Sequence, residues 1–191
     1  AVFHRLHVIG APRRIADLMY VAFSAGVLLT AFGSSYYHWQ PANQTLVWDR
    51  LPMTVSFVSL LCLVVYHYGA PRFAAFLFAP LLAVGFWSVA YWASTEVAGA
   101  GDLRPYALVQ FLPLLILPFI IHGRQSAELP RRYLWMALGW YIVAKLFEGL
   151  DGWFAETFVV IGGHPFKHVF AAFATFCVVL AYIKSTPEKK N

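Results

Sequence analysis

Long apolar runs, broken at intervals by short polar stretches, dominate the chain. Read in windows of about 19 residues, hydropathy places six membrane-crossing helices at about 15–38, 46–68, 72–95, 104–122, 131–154 and 164–184. Each is close to the roughly 20 apolar residues that a hydrocarbon layer of about 30 Å requires. The breaks carry turn chemistry: Gln40-Pro41-Ala42-Asn43, Gly69-Ala70-Pro71, Gly99-Ala100-Gly101, Gly123, Pro130 and Gly162-Gly163. None is long enough to separate domains, so the expectation is an all-α, polytopic transmembrane bundle, one domain over residues 1–191. Pro80 in the third run and Pro113 and Pro118 in the fourth predict kinks. Trp39, Trp87, Trp92, Trp135, Trp140 and Trp153 fall mostly toward run ends, where interfacial anchors sit.

Composition sharpens this picture. The chain is 60% hydrophobic and only 12% charged, against about 25% charged in soluble domains, which excludes a soluble globular protein. A net charge of +5 raises the question of nucleic acid, yet the basic residues sit between apolar runs and form no basic face interleaved with aromatics. They act as topology signals. With six spans, Arg5, Arg13, Arg14, Arg72, Arg124, Arg131, Arg132, Lys184, Lys189 and Lys190 share one side, ten of the fourteen basic residues. The other side holds Arg50, Arg104, Lys145 and Lys167. The positive-inside rule then places the C-terminus in the cytoplasm and the first, third and fifth connections outside. Cys62 and Cys177 lie deep in apolar runs and read as small hydrophobes, with no CxxC spacing. Ala1 to Arg14 is too short and too polar for a signal peptide, and chain is expected upstream of it.

Polar side chains inside a bilayer are costly, so each is a functional candidate until a structural partner explains it. Of seven histidines, His4 and His7 fall in the N-terminal basic stretch, and His67 and His122 end the second and fourth spans on the cytoplasmic side. These four read as solvent or interface residues. The other three share the outer depth: His38 ends the first span, and His164 and His168 open the last. A spacing of four puts His164 and His168 on one helix face, with Pro165 at a first-turn position. Three imidazoles are one of the recurrent ligand sets of a zinc ion that leaves its fourth position to water. Ser34 lies one turn deeper than His38 on the same face, and Asp49 lies in the first turn of the second span, again on the outer side. A carboxylate and a hydroxyl beside a metal suit proton transfer and oxyanion stabilisation. Each also has a plainer reading. The His164/His168 pair can be interfacial, Asp49 can pair with Arg50, and Ser34 can bond back to the carbonyl four residues earlier.

Gly33-Ser34-Ser35-Tyr36-Tyr37-His38, then Asp49 in Trp48-Asp49-Arg50-Leu51-Pro52-Met53-Thr54, then His164-x-x-x-His168, resembles the alkaline ceramidase family. That family belongs to a wider group of seven-helix membrane hydrolases that includes the adiponectin and progestin type receptors. The resemblance implies that His38, His164 and His168 bind zinc. It implies that Asp49 and Ser34 contact the water on that zinc. The bond cleaved would be the amide of a ceramide-like membrane lipid with a long acyl chain, giving a fatty acid and a sphingoid-type amine. The six spans would be helices two to seven of the seven-helix fold, with the first expected upstream. Eukaryotic alkaline ceramidases carry an acidic, Trp-containing N-terminal segment that binds calcium; Ala1 to Arg14 does not match it, and no calcium site is expected.

Lys145-x-x-Glu148-x-x-Asp151 adds three charges at helical spacing near the outer end of the fifth span. A self-satisfied network is the first reading, with Glu148 and Lys145 as an (i, i+3) pair. The second is that Glu148 and Asp151 support a zinc-bound imidazole through its other ring nitrogen. Rival functions are hydrolysis of another acyl lipid such as a phospholipid ester, a seven-helix lipid receptor or sensor with structural zinc, and haem-based electron transfer. The carboxylate and third histidine argue against haem. Ligand type alone leaves iron, nickel and copper open beside zinc.

Overall fold

A computed structural model describes residues 13–124, 126, 128–158 and 162–185. All regular structure among them is α-helical: α1 (Arg13–Trp39), α2 (Asn43–His67), α3 (Pro71–Val97), α4 (Arg104–Gly123), α5 (Arg131–Gly149), α6 (Asp151–Phe158) and α7 (His164–Ile183). Five of these, α1 to α4 and α7, are long and apolar enough to cross a bilayer. The protein is therefore an all-α, multi-pass membrane protein. The described residues form two compact units divided after Arg124.

Helix ends fall within three residues of the sequence expectation except in the fifth run, expected at 131–154. There α5 stops at Gly149, Leu150 departs from helical geometry (φ −97°, ψ 8°), and α6 starts at Asp151. Gly149 and Gly152 weaken the helix on either side of the break, and Asp151 supplies a negative charge for the new N-terminus. A hydropathy window averages over such a single-residue interruption. The polar load of α5, with Arg131, Arg132, Lys145 and Glu148 in 19 residues, separates it from the five apolar helices.

In the first unit, α1 to α4, small residues set how closely the helices approach. A Cβ on Gly33 would run into the backbone of Trp48 and come within 3.0 Å of the Asp49 nitrogen. Two turns earlier, a Cβ on Gly26 would meet the Pro52 carbonyl at 2.9 Å. Gly26 and Gly33 thus give α1 a groove in which α2 lies, the close packing by which membrane helices gain dispersion without a hydrophobic driving force. Across α2, Gly85 of α3 touches Thr54 in the same manner. Thr54, Ser59, Cys62, Leu63 and Val64 of α2 are almost fully buried. Ser88 and Thr54 satisfy their hydroxyls on carbonyls of their own helices, Gly85 and Leu51, at 2.7 Å. Outward, Leu28, Phe32, Phe76, Leu115 and Phe119 are exposed, as suits lipid-facing positions. Trp39 is 90% exposed at the end of α1, as an interfacial anchor would be. Trp92 is instead 2% exposed, packed with Val89 and Tyr106, so it belongs to the core rather than to an aromatic belt.

The second unit, α5 to α7, is held by rings. Phe147 meets Phe154, Phe166 and Phe170 with centroids 5.0–5.4 Å apart, and Trp140 stacks on Phe170 at 5.6 Å. Trp140, expected among the interfacial anchors, is thus a packing residue. Each such aromatic pair contributes about 0.5–1.5 kcal/mol beyond the area it buries. Gly163 is buried, and a Cβ there would collide with the Phe147 carbonyl, so this glycine lets the start of α7 close against the end of α5.

Candidate metal centre

His38 lies in the last turn of α1 and is exposed; its ring centroid is 5.2 Å from that of Tyr37. The turn that follows is locked by Thr45, a buried residue. Its hydroxyl donates toward the carbonyls of Gln40 (2.7 Å) and Ala42 (2.9 Å) and accepts from the Ala42 N–H (3.1 Å). This clasp fixes the register between the end of α1 and the start of α2, which carries Asp49.

In the second unit, His164 and His168 open α7, and their rings lie 4.9 Å apart, edge to face, as the spacing of four requires. Asp151 anchors this helix start: its Oδ1 accepts the His164 main-chain N–H at 2.8 Å. The first N–H groups of a helix lack intrahelical partners, so this bond satisfies an otherwise open donor. Asp151, considered from sequence as a support for an imidazole, is seen bonding to the backbone beside it. Glu148 bonds with Lys145 and, at 3.0 Å, with Lys167, the residue just before His168. These contacts are those of the self-satisfied network.

Within the second unit, His164 and His168 present two imidazoles from one face of α7, a spacing that suits two ligands of one metal ion. In the first unit, His38 offers the third imidazole of the donor set from the exposed end of α1.

Around His38, the two adjacent serines behave differently. Thr30 donates to the Gly26 carbonyl at 2.8 Å and Ser35 to the Ala31 carbonyl at 2.7 Å, the back-bonding expected of hydroxyls in apolar helices. Ser34 does not follow them: its Oγ is buried and has no hydrogen-bond partner among the described residues. An unsatisfied buried hydroxyl costs about 1–3 kcal/mol and calls for an explanation; the Ser59 Oγ, deep in α2, is also buried without a partner among the described residues. Asp49 is half-buried, on the α2 turn that Gly33 allows against α1. Next to it the guanidinium of Arg50 lies 3.9 Å from the Trp92 ring centroid and 5.2 Å from that of Tyr106. Cation–π packing of this kind places the Arg50 charge against the aromatic core.

Further along the first unit, Asp102 precedes α4 and accepts from the Arg104 backbone at 3.0 Å and from its side chain at 2.8 Å. The Arg104 guanidinium holds the Asp102 carboxyl well below the usual carboxylate range. Sequence reasoning passed over three contributors: Gly33, Thr45 and Gly163. Gly33 stood inside the quoted motif, seven residues after Gly26 and so two turns along the same helix face. Asp17, buried near the start of α1, was also passed over, although any carboxylate inside an apolar run is a candidate. His67, read as an interfacial residue, has its Nε2 buried. Compared with family models, with curated proteins and with solved structures, the chain has no match, and its residues and geometry carry the functional argument.

Proposed function

We propose that the protein is a zinc-dependent intramembrane hydrolase that cleaves the amide bond of a ceramide-like lipid. The observation that carries this reading is the His164/His168 pair, two imidazoles with ring centroids 4.9 Å apart on one face at the start of α7, with His38 proposed as the third ligand. Three imidazoles are a recurrent ligand set of catalytic zinc, and His38 and His168 are both exposed. Zinc held there supplies Lewis acidity toward a carbonyl and toward water. Asp49 accepts the proton of the attacking water and returns it to the leaving nitrogen. Ser34 donates a hydrogen bond to the carbonyl oxygen as negative charge develops on it, a task supported by the lack of any partner for its hydroxyl among the described residues. The water oxygen bonds to the carbonyl carbon, the C–N bond breaks, and a fatty acid and a sphingoid-type amine leave.

The test is metal content by mass spectrometry on detergent-purified protein, paired with fatty-acid release from a fluorescent ceramide. Wild type should hold about one zinc per chain and release fatty acid in a chelator-sensitive way. His38→Ala, His164→Ala and His168→Ala should each bring zinc well below one per chain and release to background. Zinc without release would point to a phospholipid ester or to a receptor with structural zinc. A metal-free wild type would remove the reading.

A further inference from the structure

A cleft of about 540 Å³ lies in the first unit at the opposite end from His38, formed by the last turns of α2 and α4 and the first of α3. It starts about 18 Å along α2 from Asp49, the distance from Asp49 to Leu61 at about 1.5 Å per residue, so it is separate from the proposed catalytic groups. Val65 of α2, Phe73, Leu77 and Leu81 of α3, and Ile116 and Ile120 of α4 make its walls apolar. Its volume lies within the roughly 300–1,000 Å³ of small-molecule sites.

One charge stands in this apolar lining. Arg124, the residue after α4, lines the cleft and donates from Nη1 to the Tyr68 carbonyl at 3.3 Å. The turn after α2 is shaped to receive it. Gly69 takes φ +117°, a conformation that disfavours any side chain, and a Cβ there would come within 2.7 Å of Nη1. The Tyr68 contact uses one of the five N–H donors of the guanidinium, whose fork geometry matches a phosphate. From Phe73 to Leu81 the cleft runs eight residues along α3, about 12 Å, against about 15 Å for the hydrocarbon of one leaflet. An acyl chain entering beside Arg124 therefore spans the cleft while its headgroup phosphate stays at the arginine. The basic residues of the sequence assign this end to the cytoplasmic side, the leaflet in which anionic lipids concentrate.

We propose that this cleft is a binding site for an anionic glycerophospholipid, with one acyl chain between α3 and α4 and the phosphate on Arg124. The site is independent of the hydrolase reading. Charge complementarity and leaflet-matched depth identify the occupant, and basic pockets between membrane helices are a recurrent way to hold such headgroups.

Native mass spectrometry of the full chain, titrated with phosphatidylglycerol or phosphatidylcholine of identical acyl chains, tests it. Wild type should retain phosphatidylglycerol about tenfold more tightly, the scale of a charge-assisted hydrogen bond. Arg124→Gln should erase that preference while still holding both lipids weakly. Leu77→Trp and, separately, Ile120→Trp should reduce retention of both lipids by filling the cleft; neither residue is buried, and unchanged helicity by circular dichroism confirms the fold. Equal retention of the two lipids by wild type, an undiminished preference in Arg124→Gln, or full retention in both tryptophan variants would each overturn the proposal.

Discussion

At the start of α7, Asp151, Glu148, Lys145 and Lys167 bond to one another or to the main chain. At the end of α1 the buried hydroxyl of Ser34 has no partner among the described residues, while Thr30 and Ser35 on either side of it are satisfied by their own helix. Both regions present histidines, yet the polar atoms beside them are used differently. Around His164 and His168 they bond to the start of the helix that carries the histidine pair. Around His38, the polar atom left over is one that chemistry can use. In an apolar environment an unsatisfied hydroxyl is the more costly arrangement; under the proposed function the reacting groups lie on α1 and α2 and the supporting ones on α5 to α7.

The most damaging substitution for that division is Asp49→Asn. It preserves size, and bound zinc should stay near one per chain, while turnover of ceramide should fall by about 10²–10⁴, the usual contribution of a positioned general acid–base group. Normal turnover would remove Asp49 from the reaction. Ser34→Ala comes next. Loss of an oxyanion donor costs about 10²–10³ in turnover, and because the native hydroxyl is unpartnered, thermal stability should hold or rise slightly. Ser35→Ala, one position along, should leave turnover unchanged. Equal effects of the two alanines would erase the distinction between the neighbouring hydroxyls.

Which serine is left unpaired was not legible in the sequence. Gly33-Ser34-Ser35 places two hydroxyls side by side, and only the approach of the Trp48–Asp49 backbone over Gly33 decides which of them is buried. What could be read was whatever depends on local period: the span ends set by Pro and Gly, and the common face of His164 and His168. Features that depend on two distant segments could not. Trp92 carries the same hydropathy as Trp39, and the burial of one follows from its place beneath Arg50 and beside Tyr106. The break at Leu150 was hidden because apolar residues continue through it, and the signal lay in the flanking glycines and in Asp151. Asp151 itself was singled out for its charge, but the role it shows depends on the return of the chain to the start of α7, 13 residues on.

That return contact gives a smaller expected effect. Asp151→Ala removes the acceptor of the His164 N–H and should destabilise the protein by about 1–2 kcal/mol, as loss of a helix N-terminal acceptor does. Because the bond orients the helix start that bears two of the proposed ligands, zinc affinity should weaken by about 10–100-fold, the range for groups that hold ligands in place. A competition titration against a chelator of known affinity measures this. A variant that melts earlier with unchanged zinc affinity would reduce Asp151 to a purely structural cap.

Glu148→Gln should have the least effect, and it separates the two kinds of carboxylate most cleanly. Glu148 precedes the histidine helix by 16 residues, and a search for a general base by charge alone would select it beside Asp49. Its contacts, however, are with Lys145 and Lys167. Partly exposed ion pairs of this kind contribute about 0–1 kcal/mol, and glutamine keeps an acceptor for both ammonium groups. The expected result is a loss of stability under about 1 kcal/mol, zinc near one per chain, and ceramide turnover within about threefold of wild type, since no proton transfer is routed through it. A drop in turnover comparable to that of Asp49→Asn, with zinc retained, would place Glu148 among the reacting groups. The reactive carboxylate would then lie on the α5–α7 side, and the division between supporting and reacting ends would be reversed.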